Sequence, residues 1–482
     1  MKKSIRINYL LNTSYQILIL LVPLVTTPYI SRKLEASGIG IYSYTYSVIS
    51  YFVLVAVMGT ASYAQRTIAY YQNDVENRSR KFFDILSFRC VGTGVYSVLY
   101  IVYLFSPLCK YVEVSIIQIL YLLSVAIDVS WLFQGMEDFK KIVLRNTIMK
   151  IINIVLIFLF VKCQEDVTKY TLILAGMNFI TNLSIWGYVP QYIKWIPVSQ
   201  WNPFGEMKEI FSLFIPTVAI QIYTVLDKTM IGYFAIDAVE NGYYEQTEKV
   251  VRMALAIVTS LGTVMIPRIA QLYHEQNIQK IKNYLEKSCQ FIWFLGIPIM
   301  LGLMGCSKIF VPVFYGSNYE KVMILLPIYS SLILAVGISN ICGCQFLIPT
   351  KKQNVYTKAV IISAIINLAL NCFLIPRYLS VGAALASVIG EYIGAILMLI
   401  YMEKNGYMSI KTIIRYSIKN WISGLIMFGV VLKLCAYVEY SIISLIVVIA
   451  GGCIVYFTVL FLLKDMFLVN NVKRIINRIS NK

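Results

Sequence analysis

The chain holds one histidine, His274, among its 482 residues. No second imidazole exists to complete a multi-histidine metal centre, and a histidine-based triad at His274 would have to sit in a basic loop. Charge is scarce as well. Only 14% of residues are charged against 59% hydrophobic, whereas a soluble domain carries about a quarter charged residues. No glycine-rich nucleotide loop is present, so ATP has no seat and no cofactor is expected. Most of the ten cysteines lie within apolar runs, and Cys342-Gly-Cys344 lacks the spacing of a zinc or redox pair; they read as small hydrophobes. The basic head MKKSIRINYLL is followed by no small-x-small cleavage site, and its apolar run continues past Pro23, which predicts a retained first span.

What is abundant is apolar sequence in lengths that fit a bilayer, whose core takes roughly 20 residues of helix. Turns, prolines and charge clusters divide the chain into fourteen such runs: 9–31, 39–64, 82–106, 112–136, 142–162, 168–190, 207–235, 243–270, 284–306, 321–349, 355–376, 380–402, 411–436 and 440–463. The expected fold is therefore an all-α polytopic membrane protein with the bilayer as its partner. Lys and Arg number 42 against 24 Asp and Glu, but the excess does not predict nucleic-acid binding. With the N-terminus in the cytoplasm, most basic residues fall in inner loops and tails, among them Arg78, Arg80 and Lys81, Lys140 and Lys141, and Lys351 and Lys352. That bias predicts an even number of spans with both termini cytoplasmic.

The chain also repeats itself. GIYSYTYSVISYFVLVAVMGTASYAQR (40–66) matches GYYEQTEKVVRMALAIVTSLGTVMIPR (242–268), pairing Gly40 with Gly242, Gly59-Thr60 with Gly262-Thr263 and Arg66 with Arg268. Upstream, Pro23 and Pro216 each fall in mid-helix. The repeat predicts two six-helix lobes, 1–190 and 207–403, joined by a cytoplasmic linker at 191–206. Residues 404–482 add helices 13 and 14 and a basic tail. Parallel halves of this kind are a transporter architecture, with substrate handled between repeats and Gly59, Gly262, Pro23 and Pro216 as candidate bends.

Ionised side chains inside spans cost at least ~2.5 kcal/mol each at mid-bilayer, so they should face water or a partner. Five cations qualify: Arg89, Lys150, Lys228, Lys249 and Arg252. Glu245, Glu248, Lys249 and Arg252 share one face of the eighth span, where Glu245 can pair with Lys249 and Glu248 with Arg252. Asp227 and Lys228 are adjacent and point about 100° apart, so they do not simply neutralise each other. Asp128 in the fourth span and Glu391 in the twelfth add acids. Asn12 and Gln16, and Tyr44, Ser47 and Tyr51, give polar faces to the first two spans. A polar, aromatic, cationic lining suits a large anionic, hydroxyl-rich substrate.

Three stretches carry a family resemblance: NYLLNTSYQILILLVPLVTTPYISRKLEASGIGIYSY near the N-terminus, WLFQGMEDFK at 131–140 and LDKTMIGYF at 226–234. The chain resembles the Wzx-type polysaccharide-unit flippases of the multidrug/oligosaccharidyl-lipid/polysaccharide exporter superfamily. The resemblance implies a non-enzymatic transporter of the bacterial plasma membrane. Its implied cargo is an undecaprenyl-pyrophosphate-linked repeat unit moved from inner to outer leaflet for capsule, O-antigen or exopolysaccharide assembly. It carries cationic cavity character onto Lys228, Arg252, Lys249, Arg89 and Lys150. Ion-pair or coupling roles for H+ or Na+ fall to Asp227, Glu248, Glu245, Asp128 and Glu391, and a cytoplasmic gate to Arg66 and Arg268. Polymerase and chain-length proteins are the expected pathway partners. The alternatives are a lipid II flippase, a cation-coupled multidrug exporter, and a membrane-embedded polymerase, which the short outer connections disfavour.

Overall fold

The computed structural model describes residues 5–465 and 467–469; the side chains of 5–17, 20, 212, 213, 215–217, 219, 220, 222, 223, 263 and 264 are outside the description. The expectations for Asn12, Gln16 and Pro216, and most of the basic tail, lie outside the described residues. In hydrocarbon each backbone amide and carbonyl must find a partner within the protein, and helices supply it locally. The described residues accordingly form helices and no strand: α1 Ile5–Val57, α2 Thr60–Tyr70, α3 Val75–Leu104, α4 Val112–Ile127, α5 Ser130–Gly135, α6 Phe139–Phe160, α7 Val167–Ser184, α8 Met207–Phe234, α9 Val239–His274, α10 Ile278–Phe314, α11 Val322–Ser330, α12 Leu332–Ser339, α13 Gln353–Tyr378, α14 Ser380–Lys404, α15 Ile410–Tyr437 and α16 Ile442–Leu462.

Twelve of the described helical segments are long and apolar enough to cross a membrane. The first of them, Leu21–Tyr70, contains the break at Glu35, where φ is 56° and the backbone leaves the helix, so it holds two spans. Helix α8, several of whose side chains lie outside the description, corresponds to the seventh run of the sequence. Helix starts are fixed by short polar caps at the ends of apolar runs. Asp74, Asn277, Ser409 and Ser441 each accept a hydrogen bond from the backbone amide three residues on.

Two compact units divide the chain, Met1–Gly242 and Tyr243–Lys482. In the first unit α1 packs on α3, α4, α6 and α8, and α4 packs on α7. The second span does not run straight to residue 64, as the sequence suggests. It stops at Met58 and Gly59, both with positive φ, and α2 starts anew at Thr60. The fourth span breaks likewise, at Asp128, between α4 and α5.

The segment after α7 is strapped to the N-terminal end of α3. The Arg78 guanidinium, 5% exposed, donates from Nε and Nη2 to the Tyr192 carbonyl at 3.0 and 2.6 Å. The Lys194 amide donates to Ser79 Oγ at 2.9 Å and the Asn202 amide to Asp84 Oδ1 at 2.7 Å, while Trp201 stacks on Phe83. The strap continues into Glu206, which pairs with Lys81.

In the second unit α10 packs on α11, α15 and α16, and α13 lies along α14. The tenth span is broken into α11, α12 and a π-helical turn at Asn340–Leu347. Tyr392 Oη donates to the Ser331 carbonyl at 3.1 Å, at the junction of α11 and α12. Gly262 does not bend α9, contrary to the role expected of it. The helix continues through it, and the space a Cβ would need is taken by Asn340 Oδ1, 2.3 Å from where that atom would sit.

Gly40 is required by a different constraint. A Cβ there would lie 1.7 Å from the Ala238 carbonyl oxygen, and one on Gly242 would lie 1.9 Å from that of Ala36. Residues 36–40 and 238–242 thus meet backbone to backbone through two small-xxx-small pairs. Gly40→Ala should therefore destabilise the protein by about 1–3 kcal/mol, the usual cost of overpacking. Gly176→Ala, where a Cβ meets nothing within 4 Å, should be neutral or slightly stabilising. Thermal unfolding of both variants in detergent checks the contrast.

Candidate functional site

A polar concavity lies within the first unit. It encloses about 630 Å³, within the ~300–1,000 Å³ usual for ligand pockets. One face of α6 supplies Ile142, Arg145, Asn146, Met149, Lys150 and Asn153, spaced i, i+3, i+4, i+7, i+8 and i+11. The facing side of α7 presents Asn178, Thr181 and Asn182, α1 adds Tyr42 and Tyr46, and α4 adds Tyr121. The three tyrosines form a cluster: Tyr42 stacks on Tyr46, Tyr46 meets Tyr121 edge-on, and the Tyr42 and Tyr121 hydroxyls lie 3.1 Å apart.

Of the predicted residues, Lys150 and Asp128 come together on this wall. Arg89 stands behind it, with its side chain 1% exposed. Its role follows from the two helix breaks. The break after α4 leaves the Asp128 carbonyl without a helical partner, and Arg89 Nη1 donates to it at 2.7 Å, with Trp131 Nε1 donating at 2.9 Å. Arg89 Nε donates to Thr60 Oγ1 at 2.8 Å, at the start of α2, so one guanidinium ties the two breaks together. Its charge is matched by the Asp128 carboxylate, 3.4 Å away. These contacts make Arg89 a clamp within the packing.

Asp227 is 3% exposed and Lys228 is half-buried on α8, and both are engaged in interactions. The next residue shows how α8 is seated: Thr229 Oγ1 donates to Ser47 Oγ at 2.9 Å and to Tyr51 Oη at 3.2 Å. A Cβ on Gly232 would sit 2.1 Å from the Tyr44 ring. The polar face of the second span, Tyr44, Ser47 and Tyr51, therefore faces α8.

In the second unit the charged stripe of α9 pairs within itself. Arg252 Nη2 lies 2.5 Å and Nε 2.6 Å from Glu248 Oε1, and Lys249 lies 3.9 Å from Glu245. Glu248 is buried while the Arg252 side chain remains 56% exposed. Beside this stripe Tyr244 Oη donates to Tyr329 Oη at 3.4 Å, with Ser387 Oγ at the same distance. Tyr244 is the repeat counterpart of Tyr42, so each unit holds a tyrosine hydroxyl pair joining spans that correspond between the repeats. Glu391 is half-buried on α14 and engaged. The two matched arginines differ in their partners: Arg66 bonds Glu209 at 2.9 Å, and Arg268 bonds Gln271 at 2.9 Å and lies over Tyr284.

A second kind of cavity, about 310 Å³, lies between α10, α15 and α16. Its walls are almost wholly apolar, including Phe294, Pro298, Leu303, Met427, Val448 and Phe457. The helices outside the repeat thus build a hydrophobic groove.

An all-helical chain with twelve segments of membrane-spanning length among its described residues and a polar concavity in its first unit is that of a polytopic membrane transporter. The family described as "Polysaccharide biosynthesis protein" matches residues 5–273, and the chain belongs to that family. A protein of Escherichia coli (strain K12) named as an O-antigen transporter is 22% identical over 390 residues, 80% of this chain and 93% of that protein. A protein of Haloferax volcanii named as the low-salt glycan biosynthesis flippase Agl15 is 26% identical over 251 residues, 52% of each chain. Among solved structures, the inward closed conformation of the lipid II flippase MurJ superposes with a TM-score of 0.72 at 18% identity, covering 97% of this chain and 99% of that one.

Removing the Arg89 charge takes the counter-ion from the Asp128 carboxylate and one of two donors from the Asp128 carbonyl, and breaking such a buried pair costs about 3–5 kcal/mol. Arg89→Gln should lower the yield of folded protein and its melting temperature, while Arg252→Gln, at an open side chain, should leave both near wild type. Detergent-extracted size-exclusion profiles and thermal melts measure this.

Proposed function

We propose that the protein carries a polyprenyl-pyrophosphate-linked oligosaccharide repeat unit from the inner to the outer leaflet by alternating access, serving capsule, O-antigen or exopolysaccharide assembly. The observation that carries this reading is the coexistence of two unlike cavities in one membrane protein. A polar, tyrosine- and lysine-bearing pocket suits a glycan, and a separate apolar groove built by α15 and α16 suits an isoprenoid chain. An amphiphile with a large hydrophilic head needs both, whereas a lipophilic drug does not need the first. Family membership and relatives named as O-antigen transporter and glycan flippase agree with it.

In this reading Lys228, Arg252 and Lys249 meet the pyrophosphate, and Lys150 faces the glycan. Arg89 serves them indirectly, by holding the α4–α5 break beside Lys150. Arg66 and Arg268 stand at the cytoplasmic gate, and Asp227, Glu245, Glu248, Asp128 and Glu391 are the acids through which H+ or Na+ would couple. The membrane is the bacterial plasma membrane, with both termini cytoplasmic, and polymerase and chain-length proteins act downstream.

The test is leaflet transfer in proteoliposomes loaded with a defined polyprenyl-pyrophosphate oligosaccharide, read by a membrane-impermeant lectin with and without ion gradients. Transfer above empty vesicles is expected, and stronger transfer of lipid II than of any oligosaccharide tested would overturn the assignment in favour of a lipid II flippase. In the same assay Lys228→Gln should lower transfer about tenfold or more, as expected for a lost charge-assisted contact of ~1.5–3 kcal/mol, with expression retained. Adding Asp227→Asn should not restore it. Full rescue by the double substitution would mark the pair as structural.

A further inference from the structure

The face of α6 that looks into the first unit's polar pocket is not what a lipid-packed helix needs. Arg145, Asn146, Lys150 and Asn153 recur at i, i+1, i+5 and i+8 along one side of a membrane span, and α7 answers with Asn178, Thr181 and Asn182 at i, i+3 and i+4. Polar side chains in such register inside a bilayer mark a wet surface used for binding. Two of these amides are anchored on α4: the Asn178 side-chain amide lies 2.8 Å from Ser124 Oγ, and Asn182 donates to the Ser124 carbonyl at 3.3 Å.

The pocket's charge is also directional. Its wall carries two cations, Arg145 and Lys150, and one carboxylate, Asp128. Asp128 is turned toward the protein, accepting from the Ser130 amide at 3.0 Å and facing buried Arg89. The net electrostatic character offered to a ligand is therefore cationic, and an empty carboxylate cage of the kind that holds a metal ion is absent among the described residues. Opposite the cations stands the tyrosine cluster of Tyr42, Tyr46 and Tyr121. A second cavity, about 320 Å³, shares Tyr46, Tyr121 and Asn178 with the first and extends to Gln221 of α8. That second space is lined mainly by apolar side chains, Ile49, Val53, Leu54, Val57 and Val125, so the polar contacts belong to the first, and the two meet at the tyrosine rings.

We infer that this pocket is a glycan-reading subsite of the first unit, and that it takes a sugar residue bearing a carboxylate, a hexuronic acid, within the transported oligosaccharide. Lys150 and Arg145 receive the carboxylate, amides of Asn153 and Asn178 bond ring hydroxyls, and Tyr46 with Tyr121 offers an apolar face to the ring. The inference rests on the flippase reading for its place in transport, but binding itself can be measured without transport.

Saturation-transfer NMR on the full-length protein in detergent, with glucuronate, galacturonate, glucose and inorganic pyrophosphate as probes, is the test. Transfer to at least one hexuronate should exceed transfer to glucose about fivefold or more. Asn178→Leu and Lys150→Gln should each remove most of it, with melting temperatures kept near wild type. Asn153→Leu gives a third variant should either of those fail to fold. No transfer to either hexuronate from folded protein overturns the inference. So does transfer that survives all folded variants, or displacement of the sugar by equimolar pyrophosphate, which would make the pocket a general anion site. Hexuronate binding without leaflet transfer would sink the flippase reading alone, and leaflet transfer without hexuronate binding would sink the subsite alone.

Discussion

A helix that breaks inside a bilayer strands a carbonyl with no water to receive it, and in the first unit one guanidinium answers two such breaks. Arg89 reaches the Asp128 carbonyl on one side and Thr60 on the other. Without a donor there, the α4–α5 break would carry a desolvation penalty of several kcal/mol. The break is worth keeping because it turns Asp128, Ser130 and Gln134 onto the wall of the polar pocket. An arginine locked in the packing therefore shapes a site that it does not line.

The two units solve the same problem with different parts. Each joins two spans that correspond in the sequence repeat through a pair of tyrosine hydroxyls, Tyr42 with Tyr121 and Tyr244 with Tyr329. The span of Tyr121 breaks at Asp128, held by Arg89, and the span of Tyr329 breaks at Ser331, whose carbonyl accepts from Tyr392. At the matched glycines the units diverge: Gly59 has φ of 74° and ends a helix, while Gly262 stays helical and makes room for Asn340. Duplicated sequence has thus preserved the tyrosine contact and released the bend. Polar chemistry has accumulated on the α6–α7 side of the first unit, and apolar chemistry beside α15 and α16.

Spans were legible from the sequence because hydropathy acts over about twenty residues and needs no tertiary information. The pairs Glu248–Arg252 and Glu245–Lys249 were legible too, since i,i+4 spacing alone brings such side chains together. Arg89 was misleading: a span cation reads the same whether it faces a cavity or a stranded carbonyl, and only the break at Asp128 tells them apart. The pocket itself was half visible. Lys150 drew notice by its charge, yet Arg145, Asn146 and Asn153 share its helical face, and that polar periodicity was the signal available. Asn178 and Asn182 carry no charge and gained meaning only when α7 was seen to face α6.

Charge counting in a membrane chain finds the costly residues, but cost alone does not separate clamp from ligand. The separating quantity is what each donor already holds. Arg89 is 1% exposed with its bonds directed at backbone and hydroxyl, whereas Arg252 keeps 56% of its side chain open while bonded to Glu248. A side chain that retains open surface beside its own counter-ion can exchange that partner for a phosphate or carboxylate without leaving a charge stranded in hydrocarbon. A buried side chain that ties two breaks together has no such exchange available, because releasing it would leave its own charge and donors without partners in the packing. Within the first unit the half-open cations of α6, Arg145 and Lys150, are of the exchangeable kind, while the buried arginine of α3 holds the α4–α5 break beside them.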